Sequence, residues 1–197
     1  MNISDLISLF YLIVSIGVVR EIIHKRKSLL DDVITLQDRR LVTQAAFFFL
    51  IPPGVLLHEF GHTLATWQVG GKVTEFHWMI YWGYIVPKGN FTALQSWWIS
   101  LSGNLVSVAY GLAPLPFLGL VKKPVVKELL RSFIKLEIIF SLICYPLFSF
   151  VFVGDWVEIY DFSISPYAQI TLIIHISLLL VLWRTGVIGE RKTTYFQ

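Results

Sequence analysis

From Ala45 to Leu57 the chain carries no charge, and the next five residues are His58-Glu59-Phe60-Gly61-His62. Two imidazoles and a carboxylate placed in so apolar a stretch are costly in hydrocarbon unless something pairs with them. A metal ion is such a partner. On a helix, residues four apart share one face, so His58 and His62 can both reach one Zn²⁺. Glu59 then stands beside the metal-bound water, where it can take a proton. The bland alternative is a set of polar residues facing a bundle interior and hydrogen-bonded to neighbours. A chance His-Glu-x-x-His on an exposed soluble helix costs little, whereas here it would carry a large desolvation cost.

The rest of the chain is equally apolar. Its 197 residues are 55% hydrophobic with a mean hydropathy of +0.68, which indicates an integral membrane protein and excludes a soluble domain. The expected fold is an all-α polytopic membrane protein forming a single domain over 1–197. Five stretches are long enough to cross a bilayer, approximately 3–19, 41–67, 97–120, 132–153 and 166–183. The first lacks the leading basic charge and the small-residue cleavage site of a signal peptide, so it reads as a retained anchor. The single cysteine, Cys144, falls inside the fourth span and leaves no intramolecular disulfide to form.

Net charge is +3, and its placement matters more than its size. Arg20, Lys25, Arg26, Lys27, Arg39 and Arg40 lie between spans one and two, and Lys122, Lys123, Lys127, Arg131 and Lys135 around the start of span four. Arg184, Arg191 and Lys192 follow span five, while Lys72 and Lys88 alone fall on the other side. The positive-inside rule then predicts an exterior N-terminus and a cytoplasmic C-terminus. These clusters read as topology signals in a bilayer rather than as a nucleic-acid surface, and the compact chain fits a plasma membrane of bacterial type.

A hydrolytic zinc site keeps one position open for water and needs a third protein ligand. Asp155, at the far end of span four, is the candidate, with Glu158 and Asp161 as competitors further into the polar connection. Spans two and four run in the same direction and carry these residues late, so His58, His62 and Asp155 can meet at one depth. The alternative is that Asp155 only caps a helix end. Span three starts on that same side with Ser102-Gly103-Asn104. Asn104 can hold a substrate carbonyl or an oxyanion there, or Gly103 can permit close helix packing with Asn104 bonding across helices.

Pro52-Pro53-Gly54 should kink the second span or restart it at Pro53, freeing carbonyls that tolerate nearby water. Between spans two and three, Lys72 to Pro87 is rich in β-branched and aromatic residues bounded by glycine and proline. That pattern predicts a short interfacial β-hairpin, or else an aromatic-rich loop closing over the bundle. A hairpin edge can receive an unwound peptide as an added strand. His77 reads as a hairpin residue, and His175 as a histidine hydrogen-bonded between helices.

At these residues the chain resembles the site-2 protease family of intramembrane zinc metalloproteases. The likeness rests on His58-Glu59-Phe60-Gly61-His62, Ser102-Gly103-Asn104 and Gly154-Asp155 in three successive spans, covering about 41–160, with the first and last spans peripheral. Trp156 follows the aspartate where the family usually has glycine, and Asn104 lacks the family's preceding Gly-Pro stretch, which marks a divergent branch. The resemblance implies zinc held by His58, His62 and Asp155, Glu59 as general base, and cleavage of transmembrane segments of other membrane proteins. A zinc-binding membrane scaffold without proteolysis is the competing function, and a zinc transporter a third.

Overall fold

The computed structural model describes residues 3–152 and 154–188. Val153, Arg191 and Lys192, counted above in the fourth span and the C-terminal charges, lie outside the described residues. The chain is an all-α polytopic membrane protein with one small hairpin. Its helices are α1 (Ile3–Leu29), α2 (Leu36–Ala45), α3 (Ile51–Gln68), α4 (Ala93–Leu112), α5 (Pro124–Ile139), α6 (Tyr145–Phe152), α7 (Asp155–Ile159) and α8 (Tyr167–Thr185). Strands β1 (Lys72–Trp78) and β2 (Gly83–Lys88) pair antiparallel between α3 and α4, with an irregularity between Val73 and Glu75.

Local chemistry explains several boundaries. Thr35 and Asp38 cap α2 reciprocally: the Asp38 amide donates to Thr35 Oγ1 at 3.1 Å and the Thr35 amide to Asp38 Oδ2 at 2.9 Å. Thr92 and Gln95 repeat the device at the start of α4. Pro124 opens α5, where its missing N–H costs nothing. At the other end of the chain, Gly186 closes α8 in the left-handed region at φ 78°.

Helices α2 and α3 form one apolar run, Leu36–Gln68, joined by a π-helical turn at Ala46–Leu50. The restart expected at Pro53 does not break the run, because the wide turn puts both prolines in the first turn of α3. Pro52 has no N–H for the carbonyl of Phe48, four residues back, and Tyr81 Oη donates to that carbonyl instead, at 3.1 Å. Tyr110 Oη likewise donates to the Leu50 carbonyl at 2.9 Å. Tyrosine hydroxyls from the hairpin and α4 thus serve these two carbonyls. A second π-helical turn, Phe140–Cys144, joins α5 to α6 ahead of Pro146. There His175 Nε2–H donates to the Leu142 carbonyl at 2.8 Å, again four residues before the proline.

Four segments are long and apolar enough to cross a membrane: Leu6–Leu29, Leu36–Gln68, Pro124–Phe152 and Tyr167–Thr185. The expected span over 97–120 is absent from that set. Its helix, α4, ends at Leu112, ahead of Pro114 and a short 3₁₀ turn at Leu115–Phe117. Ser100, Ser102, Asn104 and Ser107 are buried against neighbouring helices, so α4 hides polar groups in the protein and needs less apolar sequence. A Cβ on Gly61 would meet the Ser102 carbonyl at 2.8 Å, and one on Gly54 would meet the Tyr110 ring at 3.2 Å. Helices α3 and α4 are therefore antiparallel and in close contact. By contrast, the apolar windows of α1 and α8 are only 17% buried, leaving aliphatic faces outward on the flanks of the bundle. The main core gathers Ala46, Ile51, Phe133, Ile134, Ile138, Leu142 and Leu182 between the α2–α3 junction, α5 and α8.

The hairpin folds back along α3. Trp78 Nε1–H donates to the Pro52 carbonyl at 3.2 Å, and the Tyr81 ring lies 5.2 Å from that of Tyr11 and 6.1 Å from that of Phe47. Its aromatic tip thus rests beside the middle of the Leu36–Gln68 run rather than at its end. Ile80, in the connecting loop, takes a positive φ of 67°, which a β-branched residue adopts only when its surroundings hold it there.

Candidate metal centre

His58 and His62 sit one turn apart on α3 and project toward the start of α7. His58 Nε2 and His62 Nε2 each lie 3.1 Å from Asp155 Oδ2 and 2.9 Å from one another. Three potential ligand atoms therefore form a nearly equilateral triangle. The sequence-predicted trio is brought together, and Glu158 and Asp161 are not part of it. Glu158 instead accepts a hydrogen bond from Ser100 Oγ. Asp161 accepts from the Ser163 amide at 2.9 Å, and hydrogen bonds from the Ser163 side chain and amide lower its carboxyl pKa.

The donor set fits a metal ion. His62 Nδ1–H donates to the Ile99 carbonyl at 2.7 Å, which leaves Nε2 with a lone pair aimed at the triangle. His58 Nδ1 lies 3.0 Å from Ser107 Oγ, which orients the second ring in the same way. Asp155 begins α7 with no side-chain cap on that helix. Burial pushes its carboxyl pKa up, but the imidazoles of His62 and His58 outweigh that and hold it below the ordinary range, as an anion. Tetrahedral zinc with bonds of about 2.0–2.1 Å needs ligand atoms about 3.4 Å apart, a few tenths of an ångström from what is seen. The trio could thus hold a metal ion.

Asp155 is held by more than the histidines. Tyr145 Oη donates to its Oδ2 at 2.9 Å and Asn104 Nδ2 at 3.2 Å. Asn104 also donates to the Ser100 carbonyl at 3.2 Å and accepts from Trp156 Nε1–H at 2.9 Å. Both ends of this 2%-exposed amide are therefore engaged inside the protein. Two glycines leave room beside the ligands, Gly103 for the His62 ring and Gly154 for the Ser149 side chain. A Cβ on Gly103 would stand 2.4 Å from His62 Cε1 and Nε2, and one on Gly154 would stand 2.6 Å from Ser149 Oγ.

Glu59 lies beside the trio, 6% exposed, beneath the first residue of β2. A Cβ on Gly83 would come within 2.8 Å of its Cγ, so only glycine lets the strand pass this closely. A cavity of about 310 Å³ opens between the trio, Glu59 and β2, with Tyr84, Ile85 and Pro87 on its wall. Strand β2 pairs on one side with β1 and has no second strand partner among the described residues.

The remaining histidines lie elsewhere. His77 is exposed on β1, stacked on Tyr84 with ring centroids 4.6 Å apart and 3.1 Å from Glu75 Oε2. His175 joins helices: Nε2–H serves Leu142, so Nδ1 accepts from the Tyr160 hydroxyl, whose pKa burial pushes up to about 12. Tyr145, Ser107 and Trp156 were not legible as site residues. Ser107 carried one faint signal, standing three residues after Asn104 and hence on its helix face. Compared with known protein families, curated proteins and solved structures, the chain finds no match in any of the three.

Proposed function

We propose that the chain is an intramembrane zinc metalloendopeptidase that hydrolyses peptide bonds in or near transmembrane segments of other membrane proteins. The observation that carries this reading is the convergence of His58, His62 and Asp155 beside a buried Glu59, in a cavity walled by an unpaired strand edge. Zinc held by the trio would supply Lewis acidity toward water and the scissile carbonyl. The other roles belong to the protein. Glu59 has no hydrogen bond to its carboxyl group from the described residues, so it is free to take a proton from the attacking water and pass it to the leaving amine. The open edge of β2 pairs with an unwound stretch of substrate and lays it across Glu59. Asn104 and Tyr145 are positioning residues that hold Asp155; with both ends of its amide engaged, Asn104 serves the ligand rather than the substrate.

Four apolar helices support a membrane-spanning protein. With α4 counted as a fifth crossing on its antiparallel packing, the charge clusters assign an exterior N-terminus and a cytoplasmic C-terminus in a bacterial-type plasma membrane.

Elemental mass spectrometry of the purified protein tests the metal, and cleavage of transmembrane reporter segments tests the activity. Near-stoichiometric zinc is expected in the wild type and in Glu59→Gln, and little in His58→Ala or Asp155→Ala. Cleavage is expected in the wild type alone. Cleavage retained by Glu59→Gln would sink the mechanism, and zinc without cleavage would return the site to a non-proteolytic scaffold.

A further inference from the structure

A second cavity, of about 170 Å³, shares His58, Glu59, Gly83 and Tyr145 with the larger one and runs from them into the bundle. Ile51, Val55 and Phe140 make much of its wall apolar. Its lining includes Glu137 of α5, a carboxylic side chain 3% exposed in the middle of an apolar segment. Two glycines cradle that side chain. A Cβ on Gly54 would lie 3.1 Å from both Glu137 carboxyl oxygens, and one on Gly111 would lie 2.8 Å from its Cγ. Ser141 Oγ donates to Oε1 over a long 3.4 Å, and Oε2 has no hydrogen-bond partner among the described residues. On the hairpin side of the same cavity, Trp82 Nε1–H is buried and also without a partner. Each of two walls therefore carries a polar group without a partner, an acceptor on one and a donor on the other.

The chemistry of the two groups selects what completes them. Lysine and arginine carry donors only, so either would serve Glu137 and leave the indole N–H bare. A carboxylate would serve Trp82 and confront Glu137. An aliphatic side chain would serve neither. A primary amide has a donor nitrogen and an acceptor oxygen at its two ends. At about 170 Å³ the volume is roughly six times the ~30 Å³ share of one water, room for an amide side chain.

We propose that this cavity is a side-chain subsite for an asparagine or glutamine of the cleaved transmembrane segment, its N–H reaching Glu137 and its C=O accepting from Trp82. The inference rests on the protease reading and adds a substrate class to it. Amides are sparse in transmembrane sequence, so the subsite selects one position in an otherwise aliphatic substrate.

The test uses transmembrane peptides in detergent micelles, identical except for one residue set to Gln, Leu or Lys and stepped along the sequence. Binding is measured on the zinc-loaded Glu59→Gln protein by competition with a fluorescent peptide, and cleavage is measured on the wild type by mass spectrometry. At one position Gln should bind about tenfold or more tighter than Leu, with Lys no better than Leu. That ratio should fall toward one in the Glu59→Gln background with Glu137→Leu added, and fall partly with Trp82→Phe. Should Glu137→Leu not fold, Trp82→Phe at the hairpin tip decides. Equal binding of Gln and Leu, a preference for Lys, or a ratio indifferent to both substitutions overturns the subsite. Selective binding with no cleaved peptide counts against the protease reading alone, and cleavage without selectivity counts against the subsite alone.

Discussion

The histidine half of the site and the aspartate half each follow a π-helical turn ended by proline, yet they are held in different ways. On the histidine side, the Phe48 carbonyl that Pro52 releases is taken by Tyr81 of the hairpin, and Tyr110 of α4 adds a hydrogen bond to the Leu50 carbonyl. The rings, each with one hydrogen bond to α4, are confined by close approach, with Gly61 and Gly103 bringing α3 and α4 together. On the aspartate side, the freed carbonyl of Leu142 is taken by His175 of the peripheral α8. There the ligand is placed by hydrogen bonds from Tyr145 and Asn104, with Trp156 holding Asn104. Steric placement tolerates no added atom, whereas a hydrogen-bonded network loses one member at a time. The two halves should therefore fail differently.

The sharpest break is Gly103→Ala. Its new Cβ would fall 2.4 Å from the His62 ring, so we expect loss of bound zinc together with about 1–3 kcal/mol of overpacking cost. Elemental analysis and thermal melting check both, and full zinc content would show that ring clearance does not place His62. Asn104→Ala comes next. It strips one donor from Asp155 and leaves the Trp156 N–H bare, for an expected 10–100-fold loss of zinc affinity measured by chelator competition. Tyr145→Phe removes only one hydroxyl and should lie near the tenfold end. If these two cost more affinity than Gly103→Ala, the contrast between the halves is inverted.

Smaller effects separate the junctions from the ligands. His175→Leu leaves the Leu142 carbonyl and the Tyr160 hydroxyl without partners and should destabilise by about 1–3 kcal/mol, with zinc affinity nearly unchanged. A large affinity loss would mean that the second junction sets the position of Asp155 directly. Tyr81→Phe should cost about 0.5–1.5 kcal/mol by denaturant melting, since one hairpin hydroxyl serves one carbonyl.

Some of this was legible in the residues and some was not, for identifiable reasons. His58 and His62 share a face because helical spacing is local, and Asp155 was placed near them by counting crossing directions. Hydropathy alone does not support the span expected over 97–120, because it assumes lipid on the outside, while the serines and Asn104 of α4 face protein. The π turns were hidden, since Pro52-Pro53-Gly54 fits a kink, a restart or a widened turn equally well. Glu137 carried a signal, a carboxyl set among Leu136, Ile138 and Ile139, but no nearby residue said what it faced.

The sequence by itself determined an apolar helical chain, a metal-type motif on one helix face and a turn-bounded aromatic segment between two helices, because hydropathy, spacing and turn chemistry act over a few residues. Only the tertiary structure decided that the hairpin lies back along α3 over Glu59, that Asn104 serves Asp155, and that Glu137 and Trp82 line one cavity. Those outcomes depend on which donors reach the carbonyls that the prolines release and on where glycines let helices touch. Both are long-range conditions that no single segment contains.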